Sequence, residues 1–108
     1  GYLWLPGALD RATVSAARDE VCRRLAAEGL FDPAWPVSAG RLRADSPNPY
    51  FRADVTHGNA PLTRALYDGP MMALFESLFG APVRHYDYTW FRAVGPGHGT
   101  QPHCDIVY

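Results

Sequence analysis

The sequence contains no lysine; all ten of its basic residues are arginine. Within this stretch that excludes a Schiff-base lysine and a complete Walker A phosphate loop, since both chemistries need the amine. No G-x-S-x-G occurs, so a serine hydrolase has no foothold here. Long apolar runs are missing too: none approaches the roughly 18 residues of a membrane span, and no signal peptide is visible. Charge of one sign is not in excess. A net charge of -1 gives no general pull toward nucleic acid or an anionic membrane. Cysteine is scarce. Cys22 and Cys104 lie far apart with no framework spacing, which fits a reducing compartment and leads us to expect a cytoplasmic protein.

What is present reads as globular: 47% of the 108 residues are hydrophobic and 19% charged, a balance that excludes a disordered chain. The length fits one domain with a modest core. The chain opens on Gly1 without an initiator Met and closes inside an apolar run, so both ends read as cut. Residues 1–108 are therefore expected to form the N-terminal part of a single domain that continues. Repeats and low-complexity tracts are absent.

Tyr2–Leu5 is a short apolar run closed by Pro6-Gly7, a strand or extended lead-in. Asp10–Glu28 predicts the clearest helix. Asp10 can cap it, Leu9 can pack back on Val14, and Val14, Ala17, Val21 and Leu25 recur on one apolar stripe. Arg11, Arg18 and Arg24 fall outside that stripe, Cys22 lies beside it as a packing residue, and Gly29 supplies a left-handed stop. Asp32–Asn59 carries four prolines and little periodicity, and predicts an ordered but irregular connection. Short helices are expected over Ala60–Tyr67, capped by Asn59, and over Pro70–Phe79, closed by Gly80. Met71, Leu74, Phe75 and Leu78 would be the buried face of the latter.

From Val83 to Val94 the period changes to two. Tyr86, Tyr88, Trp90 and Arg92 share one side, His85, Asp87, Thr89 and Phe91 the other, and the aromatic and β-branched content predicts a strand. A Gly95–Gly99 turn follows, then a second strand over Gln101–Tyr108. Helices first and strands last give an α+β fold class with a sheet that has only begun.

That second strand holds His103-Cys104-Asp105. On a strand, His103 and Asp105 point to one side and Cys104 to the other, so an imidazole and a carboxylate can converge on one metal ion. With a second imidazole from elsewhere they would complete a 2-His-1-carboxylate triad, which leaves positions open on Fe(II). H-x-D alone is a weak pattern, and His85-Tyr86-Asp87 repeats it. The first pair sits inside a regular strand and reads as a polar strand face or a salt bridge, whereas the second follows a Gly/Pro turn that can leave an open mouth. His98 competes as a loop ligand, and His57 reads as a turn residue.

The stretch TWFRAVGPGHGTQPHCDIVY resembles the phytanoyl-CoA dioxygenase family of Fe(II)- and 2-oxoglutarate-dependent oxygenases. The opening GYLWLPGALDRATVSAARDEVCRRLAAEG and the helix PMMALFESLFGAP resemble that family as well, so the likeness spans most of the chain. Pro-rich Asp32–Asn59 matches least. The resemblance implies a double-stranded β-helix, or jelly-roll barrel, with helices on one side. It implies His103 and Asp105 as metal ligands and 2-oxoglutarate as cosubstrate. A distal histidine and an arginine for 2-oxoglutarate would come later in the chain, so residues 1–108 would be inactive alone. By approximate alignment Tyr88 and Trp90 would line the cosubstrate site, although a purely structural aromatic face fits them equally. Arg52 could meet an anionic group or simply sit at the surface. The implied activity is hydroxylation of a small organic substrate with O2. Two rival classes stay open: another cupin-like metalloenzyme, and a non-catalytic α+β binding module.

Overall fold

The computed structural model describes residues 2–46, 52–94, 97 and 99. Among the described residues four α-helices form: α1 (Arg11–Ala27), α2 (Ala53–Thr56), α3 (Ala60–Tyr67) and α4 (Pro70–Phe79), with a 3-10 turn at Val37–Ala39. α1 packs chiefly against α3 and also meets the 3-10 turn and α2, while α4 packs against α3. No helix among the described residues is long and apolar enough to cross a membrane.

Local chemistry sets the helix ends. Asp10 accepts a hydrogen bond from the Thr13 N–H at 2.8 Å, satisfying one of the orphan donors of the first turn of α1. At the other end Gly29 takes φ +69°. Its N–H reaches the Ala26 carbonyl at 3.0 Å, and the Leu30 N–H reaches Leu25 at 3.4 Å. This is the Schellman pairing, and it brings Leu30 back against Leu25 in the core. Asn59 caps α3 by accepting from the Leu62 N–H at 3.0 Å, and Gly80 closes α4 in the left-handed region.

The connection after α1 is more ordered than its composition suggests. Phe31 and Leu42 form an isolated antiparallel bridge, tied by Asp32 N–H to Arg41 O at 2.9 Å and Arg43 N–H to Leu30 O at 3.0 Å. The loop it closes is held by Arg41 lying 4.3 Å over the Trp35 ring and by Arg18 donating to the Ser38 carbonyl. The core among the described residues is small. Leu25, Leu30, Val55 and Ala93 are buried together, with Val21, Phe31, Leu42 and Phe91 packed around them.

Three expectations are corrected. The α+β class with the first strands of a jelly roll is not what forms: the described residues are helical, with no β-strand, sheet or barrel among them. Residues 83–94 form no strand, yet burial alternates from Tyr88 to Val94, with Thr89 and Phe91 half-buried, Ala93 buried and the even-numbered residues outward. Period-two patterning specifies an extended backbone and two faces, but a strand also needs a neighbouring backbone for its ladder. The single backbone bond made here to another described segment runs from Arg52 N–H to Phe91 O at 3.1 Å. The expected strand over 101–108 lies outside the described residues.

The second correction concerns α4, whose apolar face is not buried. Phe75 and Leu78 are exposed, and Met71 and Leu74 are half-buried. Among the described residues α3 packs against this helix, while the lead-in over residues 3–9 and residues 83–86 face it across open hollows, too little to cover it. The third concerns the stripe on α1. Its Ala17 and Leu25 are buried, whereas Val14 is exposed.

Candidate functional site

Four residues carry the chemistry expected from sequence. His103 and Asp105, the expected metal ligands, lie outside the described residues, as do Cys104 and His98. Tyr88 and Trp90 are described. Both are exposed on the outward side of the extended segment, edge to face with ring centroids 6.4 Å apart. The Arg92 guanidinium sits 5.3 Å over the Trp90 ring, a cation–π arrangement on the same face. The aromatic side anticipated from the two-residue period therefore exists, although no ladder holds it among the described residues.

The opposite side turns toward α3. The Thr89 hydroxyl meets the Tyr67 hydroxyl at 2.7 Å, and the His85 ring stacks on the Tyr67 ring with centroids 3.9 Å apart and planes 20° apart. His85 Nδ1 lies 2.8 Å from the Tyr86 carbonyl. A carbonyl only accepts, so Nδ1 carries the hydrogen, and in the neutral ring Nε2 is left as an acceptor. The first H-x-D pair thus sits on an irregular segment with its imidazole fixed, not on a polar strand face, and makes no ion pair among the described residues. Among the described residues no group of three His, Cys, Asp or Glu side chains is placed to hold a metal.

His57 ends α2 and joins its turn into α3. Arg24 holds that turn from α1. Its Nη1 donates to the carbonyls of Asp54 at 2.9 Å and His57 at 2.6 Å, and its Nη2 donates to that of Gly58 at 2.9 Å. The sequence places Arg24 off the apolar stripe, and nothing in its neighbours signals a reach of more than 30 residues. Its companion Glu20 accepts from both Arg23 and Arg24 at 2.7 Å, and these bonds, Arg23's first, hold the carboxyl down at about 2.

Arg52 is the opposite of an exposed surface arginine. Its side chain is mostly covered and ion-paired with Asp54 at 2.6 Å and with Glu28. Those bonds, Asp54's first, raise the guanidinium above its usual range, and Arg52 in turn holds the Asp54 carboxyl well below the usual carboxylate range. A guanidinium committed to two carboxylates has little left for an anionic ligand. Arg52 instead fixes the start of α2, and its backbone N–H fixes the extended segment through Phe91.

Comparison with known proteins adds no relative: no family profile, no curated protein and no solved structure matches the chain.

Proposed function

We propose that this chain is part of an Fe(II)- and 2-oxoglutarate-dependent dioxygenase that hydroxylates a small organic substrate with O2. The observation that carries the reading is the His103-x-Asp105 pair in the sequence, following the glycine- and proline-rich stretch Gly95–Gly99 and the aromatic segment that ends at Val94. As donors the two side chains suit the metal: an imidazole nitrogen and a carboxylate oxygen are the set Fe(II) takes in a facial triad. Bound iron would supply the activation of O2 and the seat for 2-oxoglutarate. His103 and Asp105 would hold it, a further histidine would complete the set, and Tyr88 and Trp90 would flank the cosubstrate. The two widely separated cysteines support a cytoplasmic setting.

The test is made on full-length protein with Fe(II) and 2-oxoglutarate. Wild type should release succinate. His103→Ala should lose both turnover and tight iron binding, and Cys104→Ala should keep both. No succinate and no Fe(II) binding by wild type would sink the reading.

A second reading, a non-catalytic binding module, is favoured by one observation. The described residues are helical and do not form the first strands of a barrel. Wild-type protein that folds cooperatively, binds no Fe(II) and leaves 2-oxoglutarate intact would select it.

A further inference from the structure

We propose that the cleft between the α2–α3 turn and residues 85–89 binds a small organic ammonium, most simply a primary amine. The cleft holds about 290 Å³, at the lower end of small-molecule sites. His57, Thr63 and Tyr67 are among the residues that line it from the helical side, and His85, Tyr86 and Asp87 among those that face them.

Both walls are fixed by interactions that core burial does not require. Arg24 clamps the turn through three carbonyls, and Gly58, one of the residues it holds, lines the cleft beside His57. On the far side the Tyr67–His85 stack and the Tyr67–Thr89 hydrogen bond set the position of the rings. Rigid walls lower the ordering cost a ligand must overcome.

Charge and chemistry then narrow the ligand. The lining contains no arginine, and its one formal charge, with the histidines neutral, is the Asp87 carboxylate. Asp87 makes no ion pair among the described residues. Arg64 and Asp68, one of each sign, line the adjoining hollow rather than this cleft. Tyrosine rings attract a cation through their faces, a carboxylate attracts it directly, and His85 Nε2 can accept one of its N–H bonds. An anion would meet the carboxylate with no fixed cation to offset it. The site stands on these residues alone and does not depend on His103 or Asp105.

The probe is n-butylammonium, with n-pentanol as a neutral control of similar shape, titrated into the full chain and followed by NMR. We expect n-butylammonium at tens of millimolar or below to shift the Tyr67 and His85 resonances saturably, while n-pentanol does not. Asp87→Asn should weaken binding about tenfold and Tyr86→Ala about threefold, the losses expected for a charge-assisted contact and for one aromatic face. Tyr86 is 89% exposed, so its truncation leaves the fold intact. Equal shifts with n-pentanol, unchanged affinity in Asp87→Asn, shifts centred elsewhere, or no saturable shift would each overturn the proposal.

Discussion

Arg24 Nη1 donates to the carbonyl oxygen of His57 at 2.6 Å across 33 residues of sequence. With the bonds to Asp54 and Gly58, this makes one side chain of α1 the support for the turn between α2 and α3. Three carbonyls converging at a helix end leave acceptors that need a donor, and a planar fork of N–H groups can serve all three. A lysine cannot reproduce that fork.

The first prediction follows. Arg24→Lys and Arg24→Met should both destabilise the fold, by about 1–3 kcal/mol, since hydrogen bonds to a charged group are lost and partly covered carbonyls are left to water. Urea unfolding followed by circular dichroism measures it. A loss below about 0.5 kcal/mol, the range of an ordinary surface change, would show that water replaces the clamp at no cost.

Asn59 is the largest polar commitment of the interior, fully buried with both ends of its amide used. Oδ1 caps α3 through Leu62, and Nδ2 donates to the Val55 carbonyl at 3.0 Å. Asn59→Ala should cost about 2–3 kcal/mol, a lost cap plus an unsatisfied buried acceptor. Asn59→Asp keeps the cap but removes the donor and buries a charge, so it should be destabilised at neutral pH and recover partly in acid. Parallel unfolding curves at two pH values would test both statements; a variant as stable as wild type at neutral pH would refute the second.

Acid should weaken the helix α1 through Glu20. Its folded pKa, about 2, lies below its ordinary value of 4.5 because Arg23 and Arg24 donate to it. A depressed carboxylate contributes stability that is fully present above the ordinary value and is lost as pH falls through the folded one. The loss therefore runs from about 4.5 down to about 2. Asp54 and Asp10 are lowered as well, by Arg52 and by the Thr13 N–H respectively, and add in the same direction. Glu20→Gln should leave a shallower acid limb than wild type in melting temperature against pH, and identical limbs would remove Glu20 from the account.

How much of this was legible in the sequence depends on the range of the interaction that decides each feature. The bounds of α3 and α4 follow from Asn59, Pro70 and Gly80, and the end of α1 from Gly29, because caps and left-handed stops act within one turn. Residues 88–94 show the two faces that their alternation implies. Whether an extended segment becomes a strand is decided by a partner backbone elsewhere in the chain, and alternation carries no information about that partner. The short helix α2 was missed because four residues are too few for periodicity, and it stands where Arg24 and Arg52 hold it. Neither reading of Arg52, an anionic site or the surface, anticipates that it is mostly covered, because the Glu28 carboxylate that joins Asp54 in holding it comes from 24 residues away. The His103–Asp105 pair is legible as a pattern, but the residues that would orient it cannot be read from a spacing of two.

The last prediction separates the two roles open to the aromatic face. Trp90 is 63% exposed, and Tyr88 and Arg92 meet it at the edge and over the ring. If the face only helps the segment pack, Trp90→Ala should lower unfolding stability and leave cosubstrate use unchanged in the surviving folded protein. If it flanks 2-oxoglutarate, as the proposed dioxygenase reading holds, the loss should fall on binding. We expect KM for 2-oxoglutarate to rise several-fold, about 1 kcal/mol of uniform binding, with kcat nearly constant. The Arg92 and Tyr88 contacts of Trp90 lie on an exposed face and are each worth no more than about 1 kcal/mol. On this role the loss of stability should therefore be modest beside the change in KM. Trp90→Phe keeps an aromatic face and should recover most of the KM. Steady-state succinate release by full-length protein, alongside urea unfolding of the same variants, decides between them. A destabilised Trp90→Ala with wild-type KM would assign the face to structure and remove Tyr88 and Trp90 from the site.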